Sequence, residues 1–244
     1  MRKNTLFSLI ALFILGLSSC KKDEVNAAKK QVVNLHWHSM VGTDDAAFGI
    51  TYTSNGVRFK LTDWRYYASN FVLIKEDGTE YPVDGKVFLI NIANSDYSLD
   101  SVPTGNYKGF KFVVGLDSAT NHKDPTTYDA SNPLSIQSPS IHWSWNSGYI
   151  FIKIEGKYDS TLAQTGAIDQ PFFYHVGTDN LKRTVDMSDH AFTVSADGAT
   201  TLHLEMDMLS ILQNINLKTE NATHTMDNMP VAMKVANNIP GSFE

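Results

Sequence analysis

Cysteine is almost absent from this 244-residue chain, which contains only Cys20. A single thiol excludes an intramolecular disulfide, so the hydrophobic core has to hold the fold together. Basic residues are outnumbered, with 20 Lys and Arg against 26 Asp and Glu, and this balance argues against binding of nucleic acid. The sequence also lacks a Gly-x-Ser-x-Gly elbow, a glycine-rich phosphate loop and a His-Glu-x-x-His helix. We therefore expect a binding protein with no catalytic residues rather than an enzyme.

Long hydrophobic runs are absent except near the N-terminus. Residues 6–17 are largely apolar and follow Arg2 and Lys3, but the run is shorter than the roughly 20 residues that a membrane-spanning helix needs. It ends in Leu17-Ser18-Ser19-Cys20, which resembles a bacterial lipobox. We expect residues 1–19 to be a removable signal peptide. Cys20 would then carry the lipid, which holds the protein to a membrane because each buried methylene contributes about 0.8 kcal/mol.

A short charged tether follows the predicted lipidation site. Residues 20–30 include Lys21-Lys22-Asp23-Glu24 and are interpreted either as a solvated spacer or as a surface-export signal. The second interpretation rests on a resemblance to lipoproteins of Bacteroidota. We expect an outer-membrane lipoprotein, at the periplasmic face or at the cell surface, and the second interpretation implies the cell surface.

The rest of the chain, residues 31–244, has the two-residue hydrophobic period of β-strands. Val33, Leu35 and Trp37 alternate with polar residues, and similar runs recur between turn sequences. Helical periodicity is confined to short pieces near residues 208–214 and 231–236, and residues 117–140 read as a long polar loop. We predict one all-β domain, an antiparallel two-sheet β-sandwich with long loops and short peripheral helices.

Histidines are the strongest candidates for functional residues in this sequence, because several could bind a metal ion. His36 and His38 share one face of a predicted strand, with Cα atoms roughly 7 Å apart, which suits either two metal ligands or two surface side chains. His175 lies in the apolar run Phe172-Phe173-Tyr174-His175-Val176, as a core residue or as a ligand. His203 has a weaker case, because it merely alternates with core residues on a strand.

A second histidine-containing segment, residues 224–229, combines His224 with Met226 and Met229. Neutral nitrogen and soft sulfur together favour copper, especially Cu(I), although isolated methionines are often packing residues. Trp143 and Trp145 form a separate feature because they share a strand face. They are interpreted as an aromatic patch, as the lining of a binding groove or as a site of oxidation.

An ordered set of motifs spans nearly the whole mature chain and resembles the MbnP-like family of exported copper-binding proteins. The motifs are His38 with Gly42; Trp64-Arg65-Tyr66-Tyr67-Ala68-Ser69-Asn70-Phe71; Val102-Pro103-Thr104-Gly105-Asn106-Tyr107; Val114-Gly115-Leu116-Asp117; Trp143-Ser144-Trp145-Asn146-Ser147-Gly148-Tyr149; Tyr174-His175-Val176-Gly177; and His224.

The resemblance implies a β-sandwich that binds copper outside the cytoplasm. It implies metal ligands at His38, His175 and His224, and His36, Met226 and Met229 remain additional candidates. In some relatives a partner di-haem peroxidase of the MauG type oxidises a tryptophan to kynurenine, whose amine joins histidines at the copper. In this chain the resemblance implies that Trp143 or Trp145 is the oxidised tryptophan.

Two functional hypotheses follow from the sequence. In the first, the chain is a membrane-anchored copper-binding protein that acquires or handles copper, with a di-haem peroxidase and an outer-membrane transporter as expected partners. In the second, it is a surface lipoprotein that binds no metal and uses exposed Trp143 and Trp145 to bind a carbohydrate or protein partner.

Overall fold

A computed structural model describes residues 29–143 and 148–244. The predicted signal peptide, Cys20, nearly all of the tether and Trp145 lie outside these residues. The strands are β1 (Lys30–Val41), β2 (Asp44–Asp45), β3 (Tyr52–Ser54), β4 (Val57–Lys75), β5 (Glu80–Asn91), β6 (Asp96–Pro103), β7 (Gly105–Val114), β8 (Ile150–Asp159), β9 (Ile168–Gly177), β10 (Arg183–Met187), β11 (Phe192–Val194), β12 (Thr200–Asp207) and β13 (Ala222–Thr223).

The helices of the described residues are short. The α-helices are α1 (Ser118–Asn121), α2 (Met208–Ile211) and α3 (Met229–Asn238), and 3-10 turns occupy Pro125–Thr127, Asp179–Leu181 and Ile239–Ser242. None of the helices in these ranges has the length and apolar character that crossing a membrane requires.

The strands form a four-stranded and a nine-stranded sheet. In the smaller sheet β1 is central and pairs with β12 on one side, with β6 on the other and with β2 at its end. In the larger sheet the order is β10-β7-β4-β8-β9-β13, with β11 paired to β7 and with β3 and β5 paired to β4. The long strand β4 is therefore central to the larger sheet, where it pairs with β3, β5, β7 and β8. Strand β13 lies at the edge of the same sheet, beside β9.

The main core lies between the inner faces of the two sheets. Leu35 and Trp37 of β1 are almost fully buried, and the Trp37 ring makes edge contacts with Tyr66 at 6.1 Å and with Phe112 at 5.4 Å between centroids. The predicted β-sandwich is thereby confirmed. The sequence did not reveal that β1–β12 and β9–β13 pair in parallel, which is possible because the two strands of each pair are not consecutive in the chain and no hairpin joins them.

A second, smaller core covers the outer face of the larger sheet. The polar loop that follows β7 folds back over β4 and β8, where Tyr67, Tyr149 and Phe151 pack with Leu134. Hydroxyl groups fasten the loop, because Tyr149 donates to the carbonyl of Leu134 at 2.6 Å and Tyr67 to that of Pro133 at 3.1 Å. The loop therefore covers the start of β8 and the end of β9.

Candidate metal centres

The side chain of His175 lies on the face of β9 that points away from the main core. Its neighbours Tyr174 and Val176 are fully buried in that core, as the alternation of a strand requires. The His175 side chain is only 14% exposed, and its Nε2 lies 2.8 Å from Oε1 of Glu155 on the adjacent strand β8. Because an ionised carboxylate only accepts hydrogen bonds, Nε2 carries the proton and Nδ1 has the lone pair.

An ion-pair network holds Glu155 in place. Nζ of Lys153 lies 3.0 Å from Oε1 of Glu155 and 3.2 Å from Oδ2 of Asp63. Asp63 in turn receives two hydrogen bonds from the guanidinium of Arg65, from Nε at 2.7 Å and from Nη2 at 2.5 Å. Buried charges are stable when they are paired in this way, and the pairing fixes the carboxylate that orients His175.

Strand β13 brings His224 next to His175. Because Thr223 lies opposite Tyr174 in the parallel register, the following residue, His224, comes beside the next one on β9. The rings of His175 and His224 are 5.0 Å apart between centroids and inclined by 72°. Asp227 orients the second ring, since its Oδ2 lies 3.0 Å from Nδ1 of His224 and its Oδ1 accepts from the backbone NH at 2.7 Å.

Thr225 ties the His224 loop to the end of β9. Its hydroxyl donates to the carbonyl of His175 at 2.8 Å and accepts from the backbone NH of Gly177 at 3.0 Å. Thr225 is fully buried and has a φ of 72°, a conformation that a β-branched residue adopts only when its surroundings impose it. These contacts therefore fix the position of one histidine relative to the other.

The surroundings of His175 favour a neutral imidazole, and those of Glu155 and Asp227 favour an ionised carboxylate. Burial is the largest influence on His175 and lowers its pKa, and the positive charge of Lys153 lowers it further. Burial acts to raise the pKa of Glu155, but hydrogen bonds from Lys153 and His175 outweigh it and hold that pKa below its usual value. Burial likewise opposes the hydrogen bonds that Asp227 accepts from His224, and the net pKa is again lowered.

Trp143 packs against the strand end that carries His175. A Cβ at Gly177 would lie 2.6 Å from Cη2 of the Trp143 ring, so only glycine leaves room for the indole there. The backbone NH of Trp143 donates to the carbonyl of Gly148 at 3.1 Å. Trp143 is only 4% exposed, so the expectation that it is an exposed stacking residue is wrong: the loop over the larger sheet buries it.

A separate histidine cluster lies on the outer face of the smaller sheet. His36 and His38 project from β1, and His203 projects from β12, where it pairs with His36 in the parallel register. One ring nitrogen of each histidine lies within 4.8 Å of the others, and in the described part of the chain this is the only group of three or more His, Cys, Asp or Glu so close together. Nδ1 of His36 also lies 2.7 Å from Oδ1 of Asp96.

The profile of the MbnP family matches residues 30–229. The chain belongs to the MbnP family. Its fold is similar to that of MbnP from Methylosinus trichosporium, with a TM-score of 0.63, 17% sequence identity, and coverage of 85% of this chain and 87% of that chain. At this level of identity the similarity to that MbnP establishes the fold alone. No curated protein matches the sequence significantly.

The ligand set suggested by the MbnP resemblance is divided between two places. The structure brings His175 and His224 together on the larger sheet, whereas His38 lies on the smaller sheet with His36 and His203. The sequence alone could not separate these groups, because the pairing of β1 with β12 and of β9 with β13 joins distant parts of the chain.

The two candidate methionines have different surroundings. Met226 is 70% exposed, and its backbone NH donates to the carbonyl of His224 at 2.9 Å. Met229 begins α3 and packs against the main core. The surroundings of Met229 are therefore those of a packing residue, while Met226 lies on the surface beside the histidine pair.

Proposed function

We propose that this MbnP family member is an extracytoplasmic copper-binding protein whose copper site is built on His175 and His224. One observation carries the proposal: the two imidazole rings lie 5.0 Å apart, and one nitrogen of each ring lies against a carboxylate. Metal-ligating histidines characteristically hold a carboxylate at the ring nitrogen that does not bind the metal. Membership of the family adds the expectation of copper.

The donor set fits copper. With Nε2 of His175 turned to Glu155 and Nδ1 of His224 turned to Asp227, the ion would bind Nδ1 of the first ring and Nε2 of the second. The lowered pKa of His175 keeps its imidazole neutral, which a ligand requires. Neutral nitrogen donors in a half-buried position suit Cu(I) or Cu(II) and suit Mg²⁺ and Ca²⁺ poorly.

We further propose that Trp143 is the tryptophan that becomes kynurenine, and that Trp145 is the other candidate. The indole of Trp143 packs against Gly177, two residues beyond His175 on the same strand. Oxidation there would place an aromatic amine beside the histidine pair as a third nitrogen donor. A partner di-haem peroxidase of the MauG type would supply the oxidising equivalents.

We propose that lipid on Cys20 anchors this domain at the outer membrane. The first described strand, β1, begins at Lys30, which is the last residue of the predicted tether of residues 20–30. An anchored copper binder could exchange its ion with an outer-membrane transporter. Mass spectrometry of the intact protein from its native host should detect the mass of a lipid on Cys20, and an unlipidated Cys20 would contradict the anchor.

Copper titration tests the proposed ligands. Protein isolated from the native host should bind one equivalent of Cu(I) in competition with a chromophoric chelator. His175→Ala and His224→Ala should each weaken binding by at least about tenfold, because each removes one ligand. His190→Ala, at an exposed histidine whose Nδ1 lies 2.9 Å from Oδ1 of Asp189, is the matched control. Wild-type affinity in both ligand variants would refute the assignment.

A further inference from the structure

The histidine cluster on the smaller sheet is independent of the proposed copper site. Its members lie on β1 and β12, whereas His175 and His224 belong to the larger sheet. Ring centroids are 4.6 Å apart for His36 and His38, 5.2 Å for His36 and His203, and 5.8 Å for His38 and His203. The parallel pairing of β1 with β12 creates this contact between rings.

The spacing of the three imidazoles is compatible with one ion. Nitrogen ligands at about 2.0–2.1 Å from a tetrahedral metal lie about 3.3 Å from one another. The ring nitrogens here lie within 4.8 Å, so modest rotation about the side-chain torsions of His36, His38 and His203 brings them to bonding distance. The backbone does not have to move, because all three side chains already project from the same sheet face.

Asp96 acts on His36 as a metal-orienting carboxylate would. Its Oδ1 lies 2.7 Å from Nδ1 of His36, so Nδ1 carries the proton and Nε2 carries the lone pair. Asp96 lies opposite His36 in the antiparallel pairing of β6 with β1, which fixes the approach of the carboxylate. The arrangement repeats the carboxylate–histidine pairing that accompanies metal ligands.

The geometry points to a second metal site, in which His36, His38 and His203 bind one divalent transition-metal ion and solvent completes its coordination. Three imidazoles are a donor set of Zn²⁺ and Cu²⁺ rather than of Mg²⁺ or Ca²⁺. His203 is exposed and the other two are partly exposed, so water reaches the open position. The site thus binds an exchangeable ion at the surface.

A zinc titration in a copper-site variant tests this inference. The parent is the full protein with His175→Ala and His224→Ala, purified without a polyhistidine tag, so that Zn²⁺ cannot bind at the other histidine pair. Calorimetry should find one equivalent of Zn²⁺ bound. Adding His203→Ala should weaken binding by at least about tenfold, and adding Asp96→Asn should weaken it by about 10- to 100-fold.

The controls separate the two metal sites. Adding His190→Ala to the parent should leave the Zn²⁺ affinity unchanged, and a parallel titration with Cu²⁺ shows whether the site also takes copper. His203→Ala is a surface change, and an unaltered thermal transition confirms that the variant folds. A parent that binds no Zn²⁺ and no Cu²⁺, or one whose binding survives His203→Ala, overturns the second site. Neither result bears on Cu(I) binding at His175.

Discussion

The ring of His175 lies against that of His224 because a two-residue strand, β13, pairs in parallel with β9 at the edge of the larger sheet. Thr225 then bonds to the His175 carbonyl and locks the loop in place. Two segments that are far apart in the chain thus place two imidazole rings beside each other, and a carboxylate lies against one nitrogen of each ring. The account of copper binding depends on this juxtaposition.

The carboxylate of Glu155 should tune the affinity for copper. Glu155→Gln keeps the side-chain volume but removes the charge that holds Nε2 of His175, so Cu(I) affinity should fall by about tenfold or more. Competition with a chromophoric Cu(I) chelator measures the change. Glu205→Gln, at an exposed position on β12, is the control and should retain wild-type affinity. Equal Cu(I) affinities in Glu155→Gln and Glu205→Gln would show that Glu155 does not contribute to copper binding.

The stability of the metal-free protein should depend on His175 below neutral pH. Burial lowers the pKa of His175 in the folded state, so the unfolded chain binds more protons between that pKa and the ordinary value of about 6.5. The free energy of unfolding should therefore fall as pH decreases through this window. It should fall less steeply in His175→Gln, and His142, whose pKa burial also lowers, accounts for part of the remaining slope.

Urea unfolding of the metal-free proteins, at a series of pH values between neutral and mildly acidic, measures the slope of the free energy of unfolding against pH. His190→Gln, at the exposed ring beside Asp189, is the matched control and should keep the wild-type slope. A wild-type slope in His175→Gln would mean that burial of this imidazole does not govern the acid response.

The close contact between Trp143 and Gly177 should stabilise the fold and position the indole beside the proposed copper site. In Gly177→Ala the new Cβ would lie 2.5 Å from the carbonyl oxygen of Tyr149 and 2.6 Å from the Trp143 ring. Overpacking of this kind costs about 1–3 kcal/mol, so the thermal midpoint should fall and the indole should move. Gly198→Ala has open space around its Cβ and should change neither stability nor copper binding. An unaltered thermal midpoint in Gly177→Ala would show that the contact is looser than the structure indicates.

Tryptophan oxidation should depend on the native host. Peptide mass spectrometry of host-derived protein should find kynurenine, recognised by one oxygen gained and one ring carbon lost, at Trp143 rather than Trp145. Protein made in a cytoplasm without the di-haem peroxidase should retain unmodified tryptophan. Host protein with both tryptophans intact, but with a full equivalent of copper, would show that two histidines suffice without the modification.

Local patterns predicted most of the fold. The alternation of Leu35 and Trp37 with His36 and His38 marked a strand with one buried and one solvated face, and the structure has this arrangement in β1. Alternation cannot reveal which strands pair, however, and the sequence therefore gave no reason to associate His203 with His36. The relevant signal was present, since His203 occupies an outward position of β12, but its meaning depends on a long-range parallel pairing.

The same limit applies to the residues of the proposed copper site, because local sequence patterns do not show which residues come together. The motifs around His175 and His224 indicated metal binding through a family resemblance, but only the pairing of β13 with β9 shows that the rings meet. Trp143 was interpreted as part of an aromatic patch, as groove lining or as a site of oxidation, because its period places it on a strand face. Its burial follows from the loop that covers the larger sheet, whose polar sequence carried no sign of that packing.

Anomalous diffraction at the copper absorption edge, from crystals of the copper-loaded protein, tests the central proposal most directly. The account predicts a peak within bonding distance of Nδ1 of His175 and Nε2 of His224, with Glu155 and Asp227 on the opposite ring nitrogens. A strong peak at any other position, together with none between these two rings, would contradict it.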